Sequence, residues 1–275
     1  METKRIYGIA SYQRPQQLIR CVQSIFDQAD IIHVALNCYD EIPVELYDKK
    51  IVIHICDNSK GDAFKFLALN NSEGYYFSCD DDIIYPADYS RFIIEHIEKY
   101  KRKSIISLHG RSFSKFPVPS YYRSSVNRVY CLRELIKDTE VQFGGTGVMA
   151  FHTDLMKIPI DYFVYPNMAD VFIGKYAKEN NIKTVCVKHG AGYIIQQETK
   201  DNIYSKTCRD DSLQTEIVNN LFGCAPKKLV SIPQPGIDEV ECEIIKEKFG
   251  NVGQRRFYHK DRALVYQQMG FIKII

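Results

Sequence analysis

Three consecutive aspartates, Asp80, Asp81 and Asp82, form the most chemically distinctive feature of the 275-residue sequence. They follow the apolar run 75–79, which predicts a buried strand that ends at the carboxylates. Carboxylates this close raise one another's pKa unless a positive charge lies among them. A divalent cation supplies that charge, and an oxygen-only site suits Mg²⁺ or Mn²⁺, with substrate phosphates completing the coordination shell. The alternative is a solvated acidic turn.

A second polar group follows another predicted strand. Asp57 and Asn58 come directly after the apolar run 50–56. A carboxylate at this position can accept a hydrogen bond from a nucleobase N–H or a ribose hydroxyl, and Lys65, eight residues further on, can reach a phosphate. The alternatives are an Asx turn or a helix N-cap for Asp57, and a surface helix position for Lys65.

Three further candidates lie in the second half of the chain. Gly145 and Thr146 belong to a run of small residues, 144–147, that lets backbone N–H groups approach a ligand, although the run matches neither a P-loop nor a dinucleotide fingerprint. Asp170 opens an amphipathic helix, where it is either a first-turn residue or a general base. His189 follows a predicted strand and is either a metal ligand or a structural histidine.

Strand-like and helical patterns alternate along the first half, which predicts an α/β fold with a mostly parallel central sheet and helices on both faces. The predicted strands are Arg5–Ala10, Ile31–Asn37, Lys50–Cys56, Gly74–Cys79, Ser104–Leu108 and Lys183–Val187, and Val148–Phe151 is a further apolar run. The predicted helices are Pro15–Gln28, Gly61–Leu69, Pro86–Lys101, Ala169–Asn180, Ser212–Leu221 and Asp238–Phe249. Ligands bind beyond the carboxyl ends of such strands, so the loops after the first, third and fourth strands are expected at one edge.

Charge and cysteine content limit the partners and the compartment. The net charge is only +2, so no nucleic-acid partner is expected. Residues 101–133 carry eight Lys or Arg and no acidic residue, which suits a phosphate, an anionic glycan or a lipid head group as well as a solvated surface. Nine scattered cysteines without a CxxC pair favour a reducing cytosol and disfavour zinc. No signal peptide or membrane span is predicted, so we expect a cytoplasmic protein whose membrane contact is at most peripheral, at the inner membrane surface.

The order of these features resembles the nucleotide-sugar glycosyltransferases of the GT-A fold, most closely the inverting enzymes of glycosyltransferase family 2. The resemblance covers residues 4–195 and rests on 9–15, Asp57-Asn58, Asp80–Asp82, 144–147 and Ala169-Asp170. It implies a GT-A catalytic domain over 1–200, with a nucleotide-sugar half (1–110) and an acceptor half (111–200). A small helical appendage is expected over 201–275, where the basic and aromatic run 255–260 suits a membrane surface or a packed helix.

The resemblance also implies a role for each matching residue. Asp170 would be the catalytic base, and the nucleotide sugar would be held by Ser11, Tyr12, Arg14, Asp57, Asn58, Lys65, Asp80, Asp81, Gly145 and Thr146. Asp82, Asp80 and His189 would hold Mn²⁺ or Mg²⁺. The chain departs from the family pattern in three respects: a single carboxylate stands where an acidic pair is usual, there is no Trp for the common acceptor motif, and Asp57-Asn58 replaces the more usual Asp-Asp.

The expected activity is therefore a metal-dependent, inverting transfer of a hexose from a nucleotide-diphosphate sugar, by expectation a UDP-sugar, to a hydroxyl of a glycan or a lipid-linked acceptor. Bacterial surface-polysaccharide synthesis is the family's commonest setting. A retaining glycosyltransferase, a nucleotidyltransferase and a catalytically degenerate carbohydrate-binding protein are the alternatives. The segment 11–15 has one Arg and no Gly, which disfavours the triphosphate-binding loop of a nucleotidyltransferase. A homo-oligomer is left open.

Overall fold

The computed structural model describes residues 3–199, 211–222, 239–244, 255–259 and 272–274. Its contacts divide the chain into two compact units, Met1–Asp211 and Ser212–Ile275. The strands of the first unit are β1 (Arg5–Tyr12), β2 (Ile31–Asn37), β3 (Ile51–Cys56), β4 (Tyr75–Asp80), β5 (Ile83–Ile84), β6 (Ser104–Ser107), β7 (Gly110–Ser112), β8 (Asn127–Val129), β9 (Thr139–Val141), β10 (Phe143–Gly144), β11 (Val148–His152), β12 (Lys183–Cys186) and β13 (Ile195–Gln196). Its helices are α1 (Pro15–Ile25), α2 (Tyr89–Lys99) and α3 (Ala169–Glu179), with 3-10 helices at Phe26–Gln28, Val44–Leu46, Gly61–Phe66, Leu69–Asn71 and Ile160–Tyr162.

Eight strands form the central sheet in the order β3-β2-β1-β4-β11-β6-β12-β9. The strands β1 to β4 are parallel, and β6 and β12 run in the same direction, because β11 lies antiparallel between β4 and β6. The edge strand β9 is antiparallel to β12. The sheet is thus mixed but mostly parallel, and the α/β prediction is confirmed at that level.

The two faces of the sheet are covered by different elements. On one face, Ile9 of β1 and Cys79 of β4 belong to a buried core with the apolar sides of α1 and α2. The helix α1 forms because Leu18, Val22 and Ile25 recur at helical spacing and Pro15 occupies its first turn. On the opposite face, the ring of Tyr76 stacks on Phe66 of the 3-10 helix Gly61–Phe66 and on Phe151 of β11. Both faces are therefore packed, as expected for a sheet with long apolar strands.

Most predicted elements of the first unit are confirmed, with ends that differ by a few residues. The strand predicted to end at Cys79 continues to Asp80, so the first aspartate belongs to the sheet and the next two form the turn that follows. Residues 61–66 form a 3-10 helix rather than the longer helix predicted over 61–69. Gly61, with φ +55°, begins this segment with a left-handed turn that favours glycine.

The second unit contains the helix α4 (Ser212–Phe222), which confirms the helix predicted over 212–221. The helix predicted over 238–249 is wrong for its described part, because Glu239–Ile244 is strand β14. This strand pairs antiparallel with β15 (Arg255–His259) and β16 (Ile272–Ile274). Residues 239–244 alternate glutamate with an apolar residue, which is the period of a strand, and the helix propensity of glutamate concealed that period. The appendage is therefore not purely helical.

Residues 245–249, which belong to the same helix prediction, lie outside the described residues. The basic and aromatic run 255–260 lies in β15, apart from its last residue, which is outside the described residues. Within the described part of the chain, no helix combines the length and the apolar composition needed to cross a bilayer.

Candidate functional site

The candidate site lies where the strand order reverses. The strands β2 and β3 lie on one side of β1, and the next strand in the sequence, β4, lies on the other side of β1. In an open sheet of this kind, the loops after the two central strands diverge and leave a crevice beyond their carboxyl ends. Ser11 and Arg14 lie at the end of β1, and Asp80 pairs with Ala10 at the end of β4. The sequence-predicted residues after the first and fourth strands therefore meet at one crevice.

Asp81 is bound tightly from the β1 side of this crevice. Arg14 forms an ion pair with its carboxylate, and Ser11 Oγ donates a hydrogen bond to Oδ2 across 2.5 Å. Burial raises the pKa of Asp81 to about 7, although Arg14 and Ser11 act in the opposite direction. Tyr39, which follows β2, holds the loop by contacting Ser11 Oγ at 2.6 Å and accepting the Arg14 N–H at 2.9 Å. Asp81 thus fixes the site rather than facing an open ligand position.

Asp80 is paired from the other face of the sheet. Lys65 is only 2% exposed, and its Nζ forms an ion pair and a hydrogen bond with Oδ1 of Asp80. Burial works to lower the pKa of Lys65, but Asp80 and the neighbouring Asp62 outweigh it and the pKa is raised. The close approach of this 3-10 helix depends on Gly8 of β1, where a Cβ would lie 2.0 Å from the Lys65 carbonyl oxygen. Lys65 was predicted to reach a phosphate; in the structure its ammonium pairs with Asp80, and phosphate contact stays a prediction.

The glycine-rich turn meets the same aspartate. It enters β11, whose first residue Val148 pairs with Cys79 of β4, so the turn lies at the carboxyl end of β4. A Cβ on Gly147 would lie 2.1 Å from Oδ2 of Asp80, and a Cβ on Gly145 would lie 2.8 Å from Cβ of His109. The Thr146 carbonyl oxygen accepts a hydrogen bond from Ser78 Oγ of β4 at 2.7 Å. The turn therefore has no room for a side chain at Gly147, beside Asp80, or at Gly145, beside His109.

The aspartate cluster suits a divalent cation in its charge and its donor atoms. Three carboxylates face two cations, Arg14 and Lys65, and burial together with Asp80 raises the pKa of Asp82. The contact of Asp82 with Arg14 is long, at 3.3 Å, and Asp80 is 42% exposed. Asp80 and Asp82 could therefore each present an oxygen to Mg²⁺ or Mn²⁺. Among the described residues, no three His, Cys, Asp or Glu side chains form a metal cage, so phosphate oxygens and water would have to complete the shell.

His189 lies in a different environment from the aspartates. Its Nδ1 is 2.7 Å from the Val187 carbonyl oxygen, and its backbone pairs with Leu135. Its Nε2 is buried and has no hydrogen-bond partner among the residues that the structure describes. A cavity of about 420 Å³ next to the ring is also lined by His96, Lys99 and Asp138. The structure places none of the three aspartates in that lining, and metal ligation by His189 stays a prediction.

Asp170 stands in the first turn of α3, as predicted. Its Oδ2 accepts a hydrogen bond from the hydroxyl of the buried Tyr121 at 2.6 Å, and its Oδ1 accepts the Val171 N–H at 2.9 Å. Asp62 connects this residue to the aspartate cluster, because its carboxyl interacts with Lys65, Asp170 and Asp80. Burial raises the pKa of Asp62 to about 7. Asp62 therefore lies within electrostatic reach of both the predicted base and the aspartate cluster.

The remaining predicted residues lie at the rim of the site. Tyr12 is 48% exposed at the end of β1. Oδ1 of Asp57 accepts the Ser59 N–H at 2.9 Å, so the Asx turn that the sequence offered as an alternative is present. Asn58 has φ 64°, a left-handed conformation that asparagine tolerates within this turn. Base contact by Asp57 stays a prediction, and its exposed carboxylate retains oxygen lone pairs for it.

Sequence reasoning missed four residues that complete the site: Tyr39, Asp62, Tyr121 and Gln197. Gln197 follows β13, and its backbone N–H donates a hydrogen bond to the Asp82 carbonyl oxygen at 2.7 Å. Its side-chain Nε2 donates to the Asp81 carbonyl oxygen at 3.2 Å. Asp62 was within reach of sequence reasoning, since it is an acidic residue three positions before Lys65 in a predicted helix. The other three reach the site over long separations, and no local pattern marks them.

A larger cavity, of about 570 Å³, lies at the opposite edge of the sheet, where β1 and β4 begin. Arg5, Tyr75 and Arg91 help to line it, and none of the predicted site residues does. A scan against protein-family models finds no match to this chain, and a search of the curated proteins finds none either.

Proposed function

We propose that this protein is a GT-A type glycosyltransferase that transfers the sugar of a nucleotide-diphosphate sugar to an acceptor hydroxyl, with inversion at the anomeric carbon. One observation carries the proposal. Asp80 ends the strand β4, and Asp81 and Asp82 form the turn that follows, beside the switch point between β1 and β4 where open α/β sheets bind nucleotides. Their carboxylates outnumber the cations around them, which suits a cation-bound diphosphate.

The nucleotide sugar would enter along the ends of β1, β3 and β4. Asp57 would accept hydrogen bonds from the base or the ribose, and the exposed ring of Tyr12 could stack on the base. Arg14 fixes Asp81, and Lys65 fixes Asp80, so these two cations hold the carboxylates in place rather than binding phosphate directly. The residues 145–147 would border the sugar with backbone groups.

Asp80 and Asp82 would hold Mg²⁺ or Mn²⁺ together with the diphosphate oxygens. A divalent ion supplies positive charge that stabilises the departing nucleoside diphosphate. The protein's own contribution is geometric, since Ser11 and Arg14 prevent Asp81 from moving and Gln197 bonds the backbone of the aspartate turn. The carboxylates would then meet the ion with little reorganisation.

Asp170 would act as the general base. The acceptor oxygen attacks the anomeric carbon, the bond to the diphosphate oxygen breaks with its electron pair, and the acceptor proton moves to Asp170. Because the attack comes from the face opposite the leaving group, the configuration inverts. Tyr121 would orient the carboxylate through its hydrogen bond to Oδ2.

The test of this proposal is the product of a reaction of the purified chain with nucleotide sugars and Mn²⁺. The anomeric proton of the first product, followed by NMR, should have the configuration opposite to that of the donor. A first product with the donor's configuration would contradict inversion but keep glycosyl transfer. In a parallel reaction with added pyrophosphate, conversion of the nucleotide sugar to a nucleoside triphosphate and a sugar 1-phosphate, without sugar transfer, would contradict glycosyl transfer in favour of a nucleotidyltransferase.

A further inference from the structure

Two arginines face each other on the small sheet beside the candidate site. This sheet has the order β10-β7-β8, and Arg111 of β7 is directly opposite Arg128 of β8 in an antiparallel pair. Directly opposed residues project from the same face of a sheet, and like charges in such a pair are unfavourable. Ion pairs between described residues include neither arginine, so no described carboxylate contacts either guanidinium directly.

Aromatic rings hold Arg111 in place. Its guanidinium carbon lies 4.6 Å from the ring centroid of Tyr121 and 5.2 Å from that of Tyr122. One Nη donates a long hydrogen bond to the Tyr121 carbonyl oxygen, at 3.4 Å. A guanidinium has five N–H donors, so stacking fixes the plane of Arg111 while leaving donor capacity along its edge. A planar fork held in this manner matches the two oxygens of a carboxylate or a phosphate.

The pair is connected to the proposed base through one residue. Tyr121 lies under the guanidinium of Arg111, and its hydroxyl donates a hydrogen bond to Asp170. Burial works to lower the pKa of Arg111, but Tyr121 and Asp170 outweigh it and the pKa is raised. Asp170 is therefore close enough to interact with Arg111 but does not neutralise it by direct contact.

Arg128 is held at the outer side of the pair. Its guanidinium donates to the Tyr122 carbonyl oxygen and to Ser125 Oγ, and both contacts are within the loop 120–130 that precedes and contains β8. Arg128 is exposed, whereas Arg111 is partly buried. Arg128 therefore lies nearer the solvent than Arg111, and an anion bound by both would relieve their mutual repulsion.

We propose that Arg111 and Arg128 bind an anionic group of the acceptor sugar, a carboxylate or a phosphate, so that the acceptor is an acidic saccharide. That the anion belongs to the acceptor rests on the proposed glycosyl transfer. That the site binds an anion rests only on the arginine pair. A sugar fits better than a membrane surface because Arg111 is partly buried and flanked by Tyr121 and Tyr122, whose rings can pack on a sugar face.

The test compares glucuronate, glucose 6-phosphate and glucose as probes of the full chain, without nucleotide or metal. Binding is followed by ligand-detected NMR with inorganic phosphate as competitor. We expect at least one of the two anionic sugars to bind about tenfold more tightly than glucose, since a charge-assisted pair adds roughly that much affinity. Arg111→Gln should remove this preference, and Arg128→Gln should weaken it severalfold. Arg91→Gln, at an arginine of α2 that is 75% exposed, is the matched charge-loss control and should retain the preference.

A loss of folding is separated from a loss of binding by thermal melting and by Arg111→Lys, which keeps the charge and should keep part of the preference. Equal binding of all three sugars by the wild-type chain would overturn the proposal. So would an unchanged preference in both glutamine variants. Arg111-dependent binding to phosphatidylglycerol vesicles without any preference among the sugars would replace the acidic acceptor by a membrane contact. The saccharide-binding assay contains no nucleotide sugar, so a negative result in it does not contradict nucleotide-sugar binding at the aspartates. Likewise, a negative result in the nucleotide-sugar assay does not contradict anion binding by the two arginines.

Discussion

The hydroxyl of Tyr121 donates a hydrogen bond to Oδ2 of Asp170 across 2.6 Å. Tyr121 comes from the loop before β8 and Asp170 from the first turn of α3, so the contact joins segments 49 residues apart. Burial raises the pKa of Tyr121, and Asp170 raises it further, so the phenol stays protonated and remains a donor at neutral pH. The carboxylate that we propose as the base is thereby held in one orientation.

Replacing Asp170 by Asn should remove most turnover while leaving nucleotide binding nearly unchanged. The amide keeps the size of the carboxylate but cannot accept the acceptor proton, and loss of a general base commonly costs about 10²- to 10⁴-fold in rate. The measurement is kcat together with the dissociation constant of the nucleoside diphosphate. A variant that turns over at the wild-type rate would exclude Asp170 as the base.

Gly147→Ala should disturb the aspartate cluster directly. The new Cβ would lie 2.1 Å from Oδ2 of Asp80, so either the carboxylate or the turn has to move. We expect nucleotide-sugar affinity to fall at least about tenfold, which corresponds to about 1.4 kcal/mol. Gly190→Ala is the matched control, because nothing lies within 4 Å of the added Cβ there. Equal affinities of the two variants would show that the turn does not border the donor site.

Asp62→Asn should change how the stability of the protein depends on pH. Burial raises the pKa of Asp62 from 3.8 to about 7, so folding favours its protonated form. That contribution to stability is fully present below pH 3.8 and is lost as the pH rises to about 7. With about 1.4 kcal/mol for each pKa unit, the change amounts to at most about 4 kcal/mol. The wild-type chain should therefore lose more stability than the variant between pH 5 and pH 8 in urea unfolding, and parallel pH profiles would contradict this.

Asp138→Asn should lower the free energy of unfolding by about 1–3 kcal/mol at pH 7, because it weakens charge-assisted hydrogen bonds. Asp138 accepts from Lys99 Nζ at 2.6 Å, from Tyr100 Oη at 2.8 Å and from the Lys188 N–H at 2.8 Å. Burial works to raise the pKa of Asp138, but these donors outweigh it and lower the pKa to about 2. The stabilisation is thus present above pH 3.8 and disappears as the pH falls toward about 2. Asp161→Asn, at a side chain 93% exposed, is the control, and equal unfolding energies for the two variants would rule out this role.

The sequence predicted the elements that depend on local patterns. Apolar runs located β1 to β4, and helical spacing located α1 and α3 to within a few residues. The rule that ligand sites lie beyond carboxyl strand ends correctly placed Ser11 and Arg14 beside the aspartates, although it did not indicate that Arg14 would pair with Asp81. That pairing depends on the order β1-β4 in the sheet, which a single sequence does not encode locally.

Other parts of the site depend on contacts between distant segments. Tyr121 and Gln197 approach Asp170 and Asp81 over separations of 49 and 116 residues, and neither stands in a recognisable motif. The β7–β8 pairing that opposes Arg111 and Arg128 was hidden in a stretch that reads as a proline-containing loop. The strand β14 was missed for a different reason, since its glutamates favour a helix while their spacing of two favours a strand.

The most direct test of the account is the binding of nucleotide sugars at Asp80–Asp82. A panel of UDP-, GDP-, CMP- and dTDP-sugars would be titrated into the wild-type chain and into Asp82→Asn by calorimetry, with Mn²⁺ and again with a chelator, and slow hydrolysis would be followed in parallel. We expect that one nucleotide class binds the wild-type chain in Mn²⁺, that the chelator weakens this binding, and that Asp82→Asn loses the metal-dependent part. Absence of binding to every donor, with or without metal, would contradict the account and leave the aspartates a structural turn.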